Sequence, residues 1–330
     1  MFSPSGLAAI AWLLAASTLA CAQDRAPGAA PGLSPGTVAA PSELKLSTAL
    51  GPAYAQGKAG ERWAALIRER SAGRFAVRHY PGATVVQRDA SREFAALREG
   101  SVALAVGSTL AWSHDVAELN LIGLPWLLPS ERALDALLDS AVSAALAARL
   151  ETLGVVVIAW ASNGYIEIAS KRALRTPADF AGLRVRTPGL SLLDQTLAKL
   201  GATTVSMRGA DARLAALAGS LDAEETTTSA FRASHAAAAG LTHLQLWGAH
   251  ADALMFAVNA QIWNEWSEAD RELRHAGFES ALAAKTVVEQ RAFQPVLDAV
   301  GEPAGDHHRI GAMGECEIAR DRAERHDETI

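Results

Sequence analysis

The sequence predicts an α/β fold organised as about two domains. Three observations carry this expectation. From Glu43 onward, short apolar strands alternate with amphipathic helices, several helical stretches stop at a glycine, and 330 residues with 50% hydrophobic content can bury more than one core. Leu44 to Leu50 alternates like a strand, and Gly57 to Arg70 places Trp63, Leu66 and Ile67 on one helical face. Arg74 to Tyr80 reads as a second strand closed by Pro81-Gly82. Asp89 to Glu99 reads as a helix with an acidic start and Gly100 as its stop, and Val102 to Gly107 as a buried strand.

The second half repeats this grammar. A helix is expected from Ser130 to Leu150, then strands over Val155 to Ala159, Tyr165 to Ala169 and Leu183 to Thr187. A helix from Ser191 to Leu200 stops at Gly201, and another from Asp211 to Ala218 stops at Gly219. Leu254 to Val258 is strand-like, and Ser267 opens a long helix towards Val288. Gly301 to Ile330 is charged and carries no apolar period, so a disordered tail is expected over 301–330. His307, His308 and Asp306 fall in that tail, where a metal site would lack a rigid surrounding shell; no metal and no cofactor is expected.

Composition removes several function classes. A net charge of -6 without clustered Lys and Arg disfavours a nucleic-acid partner, because phosphate binding needs such a cluster. Cys21 and Cys316 stand at opposite ends of the chain, which excludes a disulfide framework and any CxxC motif. The GxSxG elbow, HExxH, the Walker A loop and a GxGxxG after the first strand are all missing, so an enzyme is not expected.

Residues 1–22 read as a signal peptide. Gly6 to Ala20 is an uncharged apolar run, too short to span a bilayer comfortably and suited to an h-region, although Met1 to Gly6 carries no basic residue. Two processing routes stay open: cleavage at Ala20-Cys21-Ala22 before Gln23, or lipidation of Cys21 as the first residue of the mature chain. Residues 23–42, with Pro27, Pro31, Pro35 and Pro41, read as a linker. Export to the periplasm follows, as a soluble or lipid-anchored protein that does not span the membrane.

One stretch points to binding chemistry. Arg186 ends a short strand, and Pro188-Gly189 turns the chain into a helix whose free N–H groups face back. A guanidinium fork converging with a helix N-terminus makes a carboxylate trap. The alternative is that Arg184 and Arg186, two apart on one strand, share a solvated face. Of the adjacent pair Glu224-Glu225, only one is expected to face any site, because neighbouring strand residues point to opposite sides.

Several runs in order carry a resemblance. They are LKLSTALGPAYAQGKAGERWA, the Glu93 to Ser108 segment EFAALREGSVALAVGS, NLIGLPWLLPS, LRTPADFAGLRVRTP at Leu174 to Pro188, LGATTVSM, LDAEETT at Leu221 to Thr227, and LMFAVNAQIWNEWSEADRE. Together they resemble the extracytoplasmic solute receptors of tripartite ATP-independent periplasmic (TRAP) transporters, of the dicarboxylate-receptor type. The resemblance implies two α/β lobes of a periplasmic-binding-protein-like fold, a ligand cleft between them and a long helix packing along both. Lobe 1 would comprise 43–163 and 251–290, and lobe 2 would comprise 164–250 and 291–300. The chain would bind a small organic acid and deliver it to the small and large TRAP membrane subunits. A periplasmic ligand-sensing protein of the same fold, feeding a signalling partner, is the second reading.

The resemblance also implies roles for residues. Arg186 would hold the ligand carboxylate, poised over an open cleft and hydrated when empty, so that its loss would cost the empty protein little stability. Glu225 and Thr226 match the end of the family pattern D-G-x-E-N, with Thr226 replacing Asn. Ile166 stands where the family often has a second Arg, which favours a monocarboxylate or a bulkier, more apolar acid. Ser108, Trp112, Trp160 and Trp247 lie in or near the segments expected to line the cleft, and the three tryptophans suit an apolar or ring-bearing ligand. After about Gln294 the resemblance ceases.

Overall fold

Eight strands join into one sheet in the order β2-β1-β3-β8-β4-β7-β5-β6 in the computed structural model, which describes residues 42–234, 236–272 and 279–280. The strands are β1 (Ser42–Thr48), β2 (Phe75–Pro81), β3 (Leu104–Ser108), β4 (Val155–Ser170), β5 (Arg184–Thr187), β6 (Thr203–Ser206), β7 (Ala223–Thr226) and β8 (His243–Asn259). The helices are α1 (Ala55–Arg70), α2 (Glu93–Arg98), α3 (Thr109–Trp112), α4 (Glu131–Leu138), α5 (Ala141–Thr152), α6 (Ser191–Lys199), α7 (Gly209–Leu217), α8 (Thr228–Ala233), α9 (Ala260–Glu265) and α10 (Glu268–Arg271). The expected signal segment, linker, Cys21, residues 291–300 and the tail lie outside the described residues, as does most of the helix expected from Ser267.

Two long strands tie the sheet together. β4 and β8 run antiparallel along almost their whole lengths, with β3 beside the C-terminal part of β8 and β7 beside the C-terminal part of β4. β1 and β2 join parallel next to β3, and β5 and β6 join parallel next to β7. The sheet therefore has two ends, each a parallel array completed by antiparallel long strands, the layout of a two-lobed periplasmic binding protein.

Both faces of each end are covered, which is why β3 and the C-terminal part of β8 read as nearly continuous apolar runs. In the first end, Leu104, Val106, Leu254 and Phe256 pack with Trp63, Leu66 and Ile67 of α1. Ala105, Met255 and Ala257, one residue out of phase, pack on the other face with Phe94, Leu97 and Trp112. In the second end, Ile168, Val185 and Ala223 pack with Leu193 and Leu197 of α6, whereas Ala169 packs with Ala212 and Ala216 of α7.

Several expected elements differ. The strands expected at Val155–Ala159 and Tyr165–Ala169 are one strand, because the chain bulges at Ser162/Gly164 without leaving the ladder. Gly164 adopts φ +79° there, a conformation that costs a glycine little. The expected strand at Leu254–Val258 extends back to His243, since His243, Leu244, Gln245 and His250 pair with β4 across a register shift. The helix expected over Ser130–Leu150 is broken, because Ser140 caps α5: its hydroxyl accepts from the Val142 N–H and donates to the Leu137 carbonyl. β6 and β7 were too short to show a period of their own.

Candidate functional site

β5 carries Val185 into the α6 face of the sheet, so Arg186 emerges on the other side. Its side chain is 11% exposed. Nε donates to the Met207 carbonyl at 2.9 Å and Nη1 to Glu225 Oε1 at 3.0 Å. The guanidinium is therefore held in place and paired, not hydrated over an open cleft as expected. The helix beside it also differs from expectation. A β-carbon added to Gly209, the first residue of α7, would stand 3.8 Å from Arg186 Nη2. The N-terminal turn of α6 instead holds Asp194, which accepts from Thr187 Oγ1 at 2.6 Å. Strand alternation is the reason, since α6 packs under Val185 and Arg186 faces the α7 side.

Arg184 has a different task. It clasps Asp222 through Nε and Nη2 at 2.9 and 2.8 Å and reaches the Gly219 carbonyl at 2.7 Å. The hydrogen bonds from Arg184 hold the Asp222 carboxyl down at about 2. This exposed clasp fastens the turn before β7 to β5.

Glu225 is 13% exposed. Burial pushes its carboxyl above the ordinary glutamate range; Arg186 opposes that rise, while Glu224, Asp252 and Asp194 add to it. Glu224 is half-buried and likewise raised by burial, with Arg186 opposing. The two glutamates sit on opposite faces of β7, yet both feel Arg186, because β5 pairs it directly with Glu224 and its guanidinium extends to Glu225. Thr226 follows, 7% exposed, donating to the Thr227 carbonyl at 3.3 Å.

Where β4 and β8 pass between the two ends, Asp252 is buried at 2% exposure. It accepts from Ser108 Oγ at 2.8 and 2.9 Å, Thr109 Oγ1 at 2.8 Å, the Leu110 N–H at 3.1 Å and Asn163 Nδ2 at 2.7 Å. One carboxylate thus joins β3, α3, β4 and β8 at the Gly164 bulge. The sequence reading placed Asn163 only at the lobe boundary and did not single out Asp252; the available signal was one acidic residue inside the apolar run Ala251–Val258.

The apolar candidates separate. Ile166 is 5% exposed and packs with Leu110, Phe180 and Leu193; its carbonyl accepts from Trp247 Nε1 at 2.6 Å. Trp247 is half-buried, stacked on Phe180 at 5.5 Å, and its backbone N–H donates to Glu167 at 2.8 Å. Trp160 is half-buried between the α2/α3 cluster and the α4/α5 cluster. Trp112 is 1% exposed, packed edge-on to Phe94 and under Gly107, where a β-carbon would overlap its ring at 2.0 Å. Arg186 and Glu225 thus come together, Thr226 follows Glu225 on β7 with its hydroxyl turned to the Thr227 carbonyl, and Ser108 is bound to Asp252, whose charge is felt by Glu225. Ile166 and Trp247 form a neighbouring pair, and Trp112 and Trp160 belong to the cores of the first end. Close to Trp112 lies Glu93, fully buried, accepting from Ser47 Oγ at 2.6 Å, with burial pushing its carboxyl up to about 7.

A cavity of about 380 Å³ opens on the α7 face, lined by Gly209 and Arg213 of α7, Glu224 of β7, Ser234, and Tyr54 from the loop before α1. Arg186 does not line this cavity; its fixed guanidinium can hold a carboxylate through its remaining donors. No helix among the described residues is long and apolar enough to cross a membrane.

The family model of bacterial extracellular solute-binding proteins, family 7 (DctP), matches residues 46–293. A TRAP periplasmic solute-binding protein of Ralstonia eutropha, solved with bound (S)-2-acetolactate, is 40% identical with a TM-score of 0.74, over 78% of this chain and 82% of that one. The uncharacterised protein y4mM of Sinorhizobium fredii is 31% identical over 57% of this chain, which spans 36% of that relative's length. The C4-dicarboxylate-binding periplasmic protein DctP of Rhodobacter capsulatus is 25% identical over 60% of this chain and 59% of its own length.

Proposed function

Because the chain belongs to family 7 of the bacterial extracellular solute-binding proteins, we propose that it is a periplasmic receptor that captures a small monocarboxylate at Arg186 and delivers it to TRAP-type membrane subunits. The observation that carries this reading is the Arg186 guanidinium, oriented by Met207 and Glu225, with Nη2 free of protein acceptors among the described residues. Two of its donors fix the fork and the rest serve the ligand. A single carboxylate is favoured because Ile166, the position matched to a frequent second arginine, is packed among Leu110, Phe180 and Leu193. The acetolactate bound by the Ralstonia relative, a branched acid with one carboxylate, supports the same class.

The two ends of the sheet act as lobes that close about the segment where β4 and β8 cross between them. The bulge at Gly164 supplies the flexible backbone, and Asp252 ties β3 and α3 to that point. Closure around the acid excludes water and strengthens the carboxylate–guanidinium pair.

Mass spectrometry of the acid that copurifies, followed by calorimetry with that compound, tests the ligand class. Small-angle scattering with saturating ligand tests closure: a smaller radius of gyration is expected, and an unchanged radius refutes it.

A further inference from the structure

The cavity of about 380 Å³ on the α7 face is lined by two opposite charges that do not pair with each other, Arg213 and Glu224. Gly209, Arg213 and Ala216 stand at i, i+4 and i+7 on α7, so one stripe of the helix faces the cavity. Glu224 lines it from β7, half-buried, and among the described residues it makes no hydrogen bond or ion pair. Burial pushes its carboxyl above the ordinary range, and the cation that opposes the rise is Arg186, which lies outside the cavity wall and is engaged by Met207 and Glu225. Arg213 is exposed and likewise makes no ion pair among the described residues. A carboxylate in poor solvent without a donor is costly, so the cavity presents a group that an occupant can satisfy. Ala216, Ala233, Ala236 and Leu241 wall the rest of the space, and Tyr54 borders it from the first end of the sheet.

We propose that this cavity is a second ligand site, separate from the one at Arg186, and that it takes a free α-amino acid with a small aliphatic side chain. The ammonium donates to Glu224 and the carboxylate faces Arg213, so each end of the zwitterion meets the opposite charge. A simple acid brings a second negative charge beside a carboxylate that stays unsatisfied, and a simple amine leaves Arg213 without a partner; both lose affinity. The alanine and leucine walls suit an aliphatic side chain. The volume stands near the lower end of ligand sites, about 300–1,000 Å³, which fits one amino acid better than a peptide. Tyr54 comes from the first end and the other walls from the second, so an occupant touches both ends of the sheet.

Calorimetry at pH 8 with valine and three analogues tests this: N-acetylvaline caps the ammonium, 3-methylbutanoate lacks it, and 2-methylpropylamine lacks the carboxylate. The wild type is expected to bind valine more tightly than N-acetylvaline or 2-methylpropylamine. Glu224→Gln keeps the side-chain volume without the charge and should weaken valine by about 10- to 100-fold, the range for a hydrogen bond between charged groups. Arg213→Ala should weaken it by about 2- to 5-fold, less because the guanidinium stands at an exposed rim. Arg186→Lys, which keeps the charge beside Glu225, should leave valine unchanged. Whatever affinity the protein has for 3-methylbutanoate belongs to the Arg186 site and should be the same in Glu224→Gln and Arg213→Ala. A thermal melt of each variant verifies folding. No valine binding up to about 10 mM, equal valine affinity in wild type and Glu224→Gln, or N-acetylvaline bound as tightly as valine overturns the second site while the receptor reading stands. Valine binding lost in Arg186→Lys and kept in Glu224→Gln also overturns it, and makes valine a ligand of the Arg186 site. If the copurifying acid binds Arg186→Ala as it binds the wild type, the receptor reading falls, and the valine series decides the second site independently.

Discussion

Arg186→Ala should damage the empty protein as well as its ligand binding. The side chains of Arg186 and Glu225 are 11% and 13% exposed and joined at 3.0 Å, so removing the guanidinium strands a buried carboxylate. Breaking such a pair typically costs about 3–5 kcal/mol. At about 2–4 °C per kcal/mol for a body of this size, the melting temperature should fall by roughly 6–20 °C at neutral pH. The sign of the pH dependence follows from Glu225. Its carboxyl is already raised by burial, and Arg186 is the group that opposes the rise. Without Arg186 the folded-state pKa climbs further above the unfolded value, so the variant's stability is fully present at low pH and lost as pH rises. The deficit against wild type should be larger at pH 8 than at pH 5.5. Glu225→Gln in the Arg186→Ala background should recover part of the loss, because a neutral amide replaces the stranded charge. The assay is thermal unfolding by circular dichroism at the two pH values, with calorimetry on ligand, where affinity should fall by roughly 30-fold to several thousand-fold. A melting temperature within about a degree of wild type, or a deficit that grows towards low pH, would refute the reasoning.

Glu93 gives a second pH signature. Its carboxyl is raised from 4.5 to about 7 by burial, so its contribution is fully present below pH 4.5, lost between there and 7, and absent above. The gap corresponds to about 3 kcal/mol; Glu93→Gln should remove that slope in urea unfolding at pH 5 and pH 8, and an identical slope in the variant counts against it. Asp252→Ala should be severe, at about 4 kcal/mol or more, because buried donors from Ser108, Thr109, Leu110 and Asn163 lose their common acceptor. A near-wild-type melt with an intact near-ultraviolet spectrum would mean that these donors find other partners.

Local periodicity was enough to place β1, α1, β3 and α6, because each buries a full stripe or face and its apolar residues repeat at the period of the element. That Arg186 and Glu225 serve one site was implied by the resemblance of the runs around them, not by periodicity. Periodicity failed for elements whose stability lies in their neighbours. β7 is four residues of mixed polarity, extended because it pairs with β4 and β5. The first residues of β8 alternate His243, Leu244, Gln245 and Leu246 without a clear bound to the strand, and they extend because β4 offers a ladder.

The same distinction governs the site. Residue types and their order along the chain belong to the sequence, and the runs that resemble a family, not Arg186 alone, implied the class of ligand. Which groups surround that guanidinium is a matter of sheet face and strand order. Val185 packs on α6, so Arg186 turns to α7, to Met207 and to Glu225 from 39 residues away. Asp252 meets Ser108 across 144 positions. Such contacts leave no local period, because the energy that fixes them is paid in the burial of long-range pairs. The sequence by itself determined the α/β class, through the local periods of its strands and helices; tertiary structure decided that a buried glutamate, Glu225, shares Arg186, because the strand order sets β7 beside β5.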